Sequence, residues 1–262
     1  MKRTLRKART LLTVYYAQML EYRAEIVLWL LSGSLPIILM GIWMQAAQGG
    51  KFELTPIEFA RYFVAVFFVR QFSIVWVIWD FEKEVVEGKL SMKLLQPLDP
   101  GWHHFVGHIS ERFARLPFIL ALVALFFILY PQAFWIPSLP GLLLCMLALA
   151  MAFVLRFLIQ YTFAMFAFWI ERAAAIDELW LLVYIFLSGV IAPLELFPVV
   201  VRQIVLWTPF PYLIYFPAGL LMGLPVDVLK GFLVMLGWSL LFFICNRWLW
   251  HRGLKKYSGM GA

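Results

Sequence analysis

Apolar runs of roughly 20 residues recur along this chain, and one charged island interrupts them. Each run can carry an α-helix across the roughly 30 Å hydrocarbon core of a bilayer. That pattern admits few folds, because backbone in lipid must satisfy its hydrogen bonds within its own helix or within a closed barrel. Composition agrees: 64% of the 262 residues are hydrophobic and 14% charged, with a mean hydropathy of +0.86. Soluble domains sit nearer about 45–50% and about 25%. The class is all-α polytopic membrane protein. The length suits a single transmembrane domain over 1–262, without a separate soluble one.

Six spans are expected, at about Ile26–Ala47, Ile57–Trp79, Phe113–Tyr130, Gly141–Ile170, Leu179–Ala192 and Val228–Trp250. The fifth is the least regular, since its apolar run continues past Pro193 and then breaks repeatedly. Lys and Arg set the orientation. Sixteen of them fall in the amino-terminal segment, in the 80–115 region, at Arg172 and in the tail from Arg247 onward. Only Lys51, Arg61, Arg202 and Lys230 fall on the other side. By the positive-inside bias, both termini and the charged island face the cytoplasm. A net charge of +7 distributed this way belongs to span ends, and nothing resembles a nucleic-acid reading module. Cys145 and Cys245 lie inside apolar runs, where small buried hydrophobes are expected rather than a metal site or disulfide framework.

Residues 1–25 read as an amphipathic surface helix. Leu5, Ala8, Leu12, Tyr15, Met19, Tyr22 and Ile26 recur at spacings of three and four, with Lys2, Arg3, Arg6, Lys7 and Arg9 mostly off that stripe. An uninterrupted apolar core of the secretory-signal type is absent. Between spans five and six, prolines cut the 193–225 region into pieces too short to cross. Short re-entrant helices dipping into the outer leaflet are expected there. Gly219-Leu-Leu-Met-Gly223 is a weak signal for close helix approach.

Several chemistries are missing. Gly50-Lys51 and Gly88-Lys89 lack both the earlier glycine and the following Ser or Thr of a phosphate-cradling loop. The chain therefore does not hydrolyse nucleotide by itself. Its four histidines, at 103, 104, 108 and 251, all fall on the cytoplasmic side, so no intramembrane Ser-His pair can be drawn. His104, His108 and Glu111 share one helix face, which suits either a metal or a solvated interfacial surface beside Arg112 and Arg115. No catalytic residue, cofactor-binding residue or metal ligand is expected in this chain.

Two arginines lie deep: Arg70 about 15 Å and Arg156 about 22 Å from the inner edge of their spans. A central arginine costs roughly 2.5–3.5 kcal/mol on insertion scales, so each needs a partner or a wet path. Two readings stand: hydrogen bonding to carbonyls, Gln71, Gln160 or a partner subunit, or lining a translocation path that meets an anionic group.

The island runs from Phe81 to Pro100. Glu82–Glu87 and Lys89–Gln96 have helical composition, Gly88 is the expected bend and Pro97 the stop. Asp99 is placed to cap the helix that bears His103 and His104. Its Val and Leu content favours contact with a partner over simple solvation. With six spans, a surface helix, Glu-Gly-Lys-Leu-Ser-Met-Lys-Leu-Leu-Gln-Pro-Leu-Asp-Pro at 87–100 and Pro193-Leu-Glu-Leu-Phe-Pro198, the chain resembles ABC-2 type permeases of bacterial ABC transporters.

The resemblance covers essentially the whole chain, and it implies what composition does not. Two permeases, identical or paired with a sister, would associate over two ABC ATPase subunits that carry the ATP and Mg, in the bacterial inner membrane. Residues 82–96 would be the coupling helix, with Glu84, Glu87, Gly88, Leu90, Lys93, Leu94 and Pro97 engaged in ATPase coupling. The helix at 3–22 would be the connecting helix, and the 193–225 pair would close the exit. The cargo would be drug-like, lipid or glycan, leaving the cytoplasm or inner leaflet. The alternatives are an ion-coupled secondary transporter, disfavoured because the deep charges are arginines and only one region is broken, and a membrane enzyme, disfavoured by the missing catalytic set.

Overall fold

The computed structural model describes residues 2–21, 28, 31, 33–50 and 52–257. Among the described residues there are helices and no strand. In chain order they are α1 (Lys2–Glu21), α2 (Leu35–Ala47), α3 (Pro56–Ser73), α4 (Val77–Val86), α5 (Leu90–Leu94) and α6 (Pro100–Leu129). There follow α7 (Leu139–Ala164), α8 (Ala174–Leu187), α9 (Val199–Val205), α10 (Phe210–Leu213), α11 (Tyr215–Met222) and α12 (Val228–Leu254).

The long helices begin where the sequence supplies a cap. Thr55 and Glu58 form a reciprocal box at the start of α3, and Pro56 occupies a position that needs no N–H partner. Asp99 accepts from Gly101 N at 2.8 Å, as its place before Pro100 leads one to expect. Ser138 does the same for α7 and Asp227 for α12.

Among the described residues, four helical stretches are long and apolar enough to cross a membrane: Pro56–Val86, Pro100–Leu129, Leu139–Phe168 and Val228–Leu254. They overlap the expected second, third, fourth and sixth spans and make the chain a polytopic helical membrane protein. The expected first span contains α2, of 13 residues, while its positions 26–27, 29–30 and 32 lie outside the described residues. So do 1 and 22–25 of the expected surface helix and 258–262 of the tail. The expected fifth span contains most of α8, which is 14 residues long and ends at Leu187, before Gly189 at φ +88°.

α3 and α7 form the centre. In its most apolar window, 67% of the Pro56–Val86 stretch is buried, against 11% for α12, so the first is core and the second peripheral. α2, α6 and α11 pack on the central pair, and α12 lies along α7. α12 is seated at both ends by an aromatic ring on a glycine. A Cβ on Gly231 would fall 2.3 Å from the Phe216 ring, and one on Gly253 would fall 2.0 Å from the Phe168 ring.

The 193–225 region forms three short helices after a single 3-10 turn. Tyr212 to Leu220 are buried, whereas Val199, Val200, Ile204 and Trp207 are exposed. Gly219 and Gly223 act differently from the close-approach expectation. Gly223 adopts φ +74° and ends α11, with Leu224 N donating to Gly219 O at 2.9 Å. Gly219 meets Val226 of the following turn rather than another helix.

The second expected span is broken rather than continuous. Ile74 is extended (ψ 138°) and α4 restarts at Val77, so α4 carries the chain from the span into the island. Three successive β-branched or aromatic residues, Ile74-Val75-Trp76, lose rotamer freedom in a helix, which lowers the cost of leaving it here. The carbonyls freed by the break are claimed by Arg112. Its Nε donates to Phe72 O at 2.6 Å, and its terminal nitrogens donate to Ile74 O and His108 O.

Candidate functional site

The island stands at the end of the molecule where α4 leaves, α6 enters and α12 finishes. Its local conformation follows from Gly88. At φ +74° this residue sits where a side chain is strained, and its N–H closes a turn onto Val85 O. The island is therefore two pieces, the last turns of α4 and the five-residue α5, meeting at the bend expected at Gly88.

The segment has an inner and an outer face. Leu90 is fully buried, in a cluster with Val85, Phe81, Phe168 and Trp250. Phe81 is the hub of that cluster, edge-on to Tyr161 at 5.5 Å and to Phe168 at 5.6 Å between ring centres. Glu84 and Lys93 also turn inward. They pair across the Gly88 bend at 2.5 Å, and the other Glu84 oxygen lies 3.3 Å from His104 Nε2. Glu82 accepts from Ala174 N at 2.6 Å, joining α4 to the start of α8. Ser91 Oγ and Tyr257 Oη are 3.1 Å apart, so the tail is tied to α5. Asp99 pairs with Arg247 Nη1 at 2.7 Å, tying the start of α6 to α12.

What remains faces away from the protein. Met92 is 72% and Leu95 88% exposed, with Val86, Leu94 and Pro97 exposed around them. Glu87 and Lys89 form a surface ion pair, and the hydrogen bond from Lys89 holds the Glu87 carboxyl below the usual carboxylate range. Of the residues singled out in the sequence, Glu87, Leu94 and Pro97 thus stand on the outer face. Glu84, Leu90 and Lys93 anchor the segment, and Gly88 sets its bend. Met92 and Leu95, the most exposed apolar side chains of the segment, are not among the residues expected to couple. Apolar side chains among charges, one helical turn apart, were the available signal.

α1 packs along α6 with Leu12, Tyr15 and Met19 half-buried, in keeping with the expected stripe. Ser110 Oγ donates to Leu12 O at 3.3 Å, and Tyr15 Oη is 3.2 Å from His103 Nδ1. Burial keeps the Tyr15 hydroxyl above its ordinary range, with the Glu84 charge adding to it.

The His104, His108 and Glu111 face is not solvated. All three are buried, as are Arg112 and Arg115. His108 Nδ1 is 3.2 Å from one Glu111 oxygen, and Arg115 takes the other. Helix α6 turns this face against α1 and the α3–α4 break, which sequence spacing alone does not encode.

The deep arginines each find protein partners. Arg70 Nη1 donates to Gly33 O at 3.2 Å, the carbonyl pairing anticipated above. The Arg156 guanidinium is buried against two rings of α8, 4.4 Å from the centre of Trp180 and 4.1 Å from that of Tyr184. Gln160, one turn along α7, donates to Asp177 Oδ1 at 2.9 Å. Asp177, buried at the first turn of α8, was not anticipated as a partner because it precedes the expected fifth span.

A bundle of apolar helices with a polar, partly unpartnered segment projecting from one end defines a membrane-embedded subunit. Residues 54–261 match the family model described as ABC-2 family transporter protein, so the chain belongs to that family and is an ABC transporter permease. No curated protein gives a significant match.

Proposed function

We propose that this permease is the membrane subunit of an ATP-driven exporter, moved through residues 82–97 by a separate ABC ATPase. The observation that carries the reading is the division of that segment into an anchored and an outward face. Leu90 and the Glu84–Lys93 pair fix it to α4, α6 and α12, while Met92, Leu94, Leu95 and Glu87 face away from the chain. Exposed apolar groups ringed by charge suit docking into a protein cleft. A segment held this firmly transmits a push to α4 and, through Arg112, to α3 and α6.

In this reading the membrane domain has six spans, with α2 and α8 completing the four long helices, and both termini are cytoplasmic in a bacterial inner membrane. A second permease, identical or a sister, completes the passage, and ATP and Mg belong to the ATPases. α1 serves as the connecting helix, and α9–α11 close the outer exit. Cargo is hydrophobic or amphipathic, of the drug-like, lipid or glycan kind. Arg70 and Arg156 flank the path only if their contacts to Gly33 and to the α8 rings open during the cycle.

The experiment is co-purification with an ATPase encoded beside this chain. Leu95→Asp with Met92→Asp is expected to release the ATPase while leaving the permease folded. Retention of the ATPase by that variant, or transport that follows a proton gradient without any ATPase, overturns the reading.

A further inference from the structure

A cavity of about 590 Å³ opens between α1, α4 and α6, on the side of the charged segment. That size suits a small-molecule or headgroup site. Its depth follows from helix length. α6 has 30 residues, hence about 45 Å, against a hydrocarbon core of about 30 Å. The ionisable side chains of α6 all lie between His103 and Arg115, so the excess projects at that end. The cavity is lined by that stretch and therefore runs from headgroup level, at His103 to His108, to the edge of the hydrocarbon, at Glu111 and Arg115.

The wall is mixed: Tyr15, Met19 and Trp76 give it apolar surface, α4 and α6 set charged groups into it, and part of the polar set lacks partners. Glu84 and Glu111 are engaged by Lys93, His104, His108 and Arg115. His103 Nε2 and Arg115 Nε are buried without a hydrogen bond, as are Glu84 Oε2 and His104 Nε2, whose 3.3 Å contact is an ion pair only when His104 is protonated. Lys83 and Asp80 line the same cavity, and neither takes part in an ion pair among the described residues. The His103 and Arg115 nitrogens are buried, and leaving them unpaired is costly, which favours an occupant that accepts from them. Lys83 and Asp80 stand exposed at the mouth, an ammonium and a carboxylate free to meet it. A phosphodiester accepts from nitrogen donors, and a primary ammonium answers Asp80.

We propose that this cavity holds the headgroup of a phosphatidylethanolamine from the adjoining leaflet, wedged between α1 and the charged segment. Under the orientation above this is the inner leaflet. The proposal does not rest on the ATPase reading, since it follows from the cavity and from the membrane class of the chain. The occupant is a lipid held in place, distinct from the exported cargo.

The test is native mass spectrometry of the full-length protein in mild detergent, with equal amounts of phosphatidylethanolamine, phosphatidylcholine and phosphatidylglycerol. One ethanolamine lipid is expected to be retained, with a preference of about tenfold over the choline lipid, whose quaternary ammonium has no N–H. The ethanolamine lipid is also expected to be preferred over phosphatidylglycerol, which brings no cation to Asp80, and Asp80→Asn is expected to remove that preference. Lys83→Gln is expected to weaken retention of both. Both positions are exposed, so unchanged thermal unfolding of the variants separates ligand loss from fold loss. Equal retention of the three lipids, no retained lipid, or preferences untouched by both substitutions would overturn the proposal. Competition by inorganic phosphate as effective as that of the lipid would overturn it too, by assigning the site to a soluble anion.

Discussion

Arg112 on α6 donates to the carbonyl of Phe72 on α3 at 2.6 Å, across the break that separates α3 from α4. The same guanidinium reaches Ile74 O beyond that point and His108 O on its own helix. One side chain therefore lets a helix open at the membrane surface without leaving bare carbonyls. Arg112→Met is expected to destabilise the protein by at least about 3 kcal/mol, because several buried carbonyls lose their donor together. Arg112→Lys should recover only part of this, since an ammonium lacks the planar fork. Thermal unfolding in detergent measures both, and equal stability of all three proteins would contradict the assignment.

The anchored and outward faces of the island should separate in mutagenesis. Leu90→Ala empties a fully buried site and is expected to cost about 2–5 kcal/mol. Leu95→Ala should leave unfolding within about 0.5 kcal/mol of the parent, as exposed positions do. Comparable losses for the two would mean the segment is not divided as described.

Gly88→Ala places a side chain at φ +74° and is expected to cost about 1–2 kcal/mol. The change should also misalign Glu84 and Lys93, whose pair spans the bend. A charge-reversed double variant, Glu84→Lys with Lys93→Glu, should fold better than either single change, as double-mutant analysis of unfolding would reveal.

Arg156 lies against Trp180 and Tyr184 in a buried setting, where a cation over an aromatic ring contributes about 2 kcal/mol. A cycle of Arg156→Met and Trp180→Leu is expected to show coupling of that order. Additive effects would mean the guanidinium is held by something other than the ring.

Much of the architecture was legible in the sequence because membrane insertion reads length and charge directly. The four long helices follow from apolar runs, the α6 cap from Asp99 before Pro100, the island's bend from Gly88, and the packed stripe of α1 from its period. The island's division into faces was not legible. α5 has five residues, too few for a periodicity to appear, so Leu90 and Leu95 look equivalent until one is buried. The break at Ile74 was hidden for another reason. No Gly or Pro marks it, and its compensation comes from Arg112, nearly forty residues away. For the His104–Glu111 face beside Arg112, helix spacing leaves a metal and a solvated surface both open, whereas tertiary packing buries these side chains.

On the proposed function, the outward face of residues 82–97 meets a cytosolic ATPase. Labelling of Leu95→Cys, in a background lacking Cys145 and Cys245, with a membrane-impermeant maleimide reads this out. The thiol should stay unlabelled on intact cells, react once the membrane is opened, and be protected again when the ATPase is bound. Labelling on intact cells, or reactivity indifferent to the ATPase, would contradict the account.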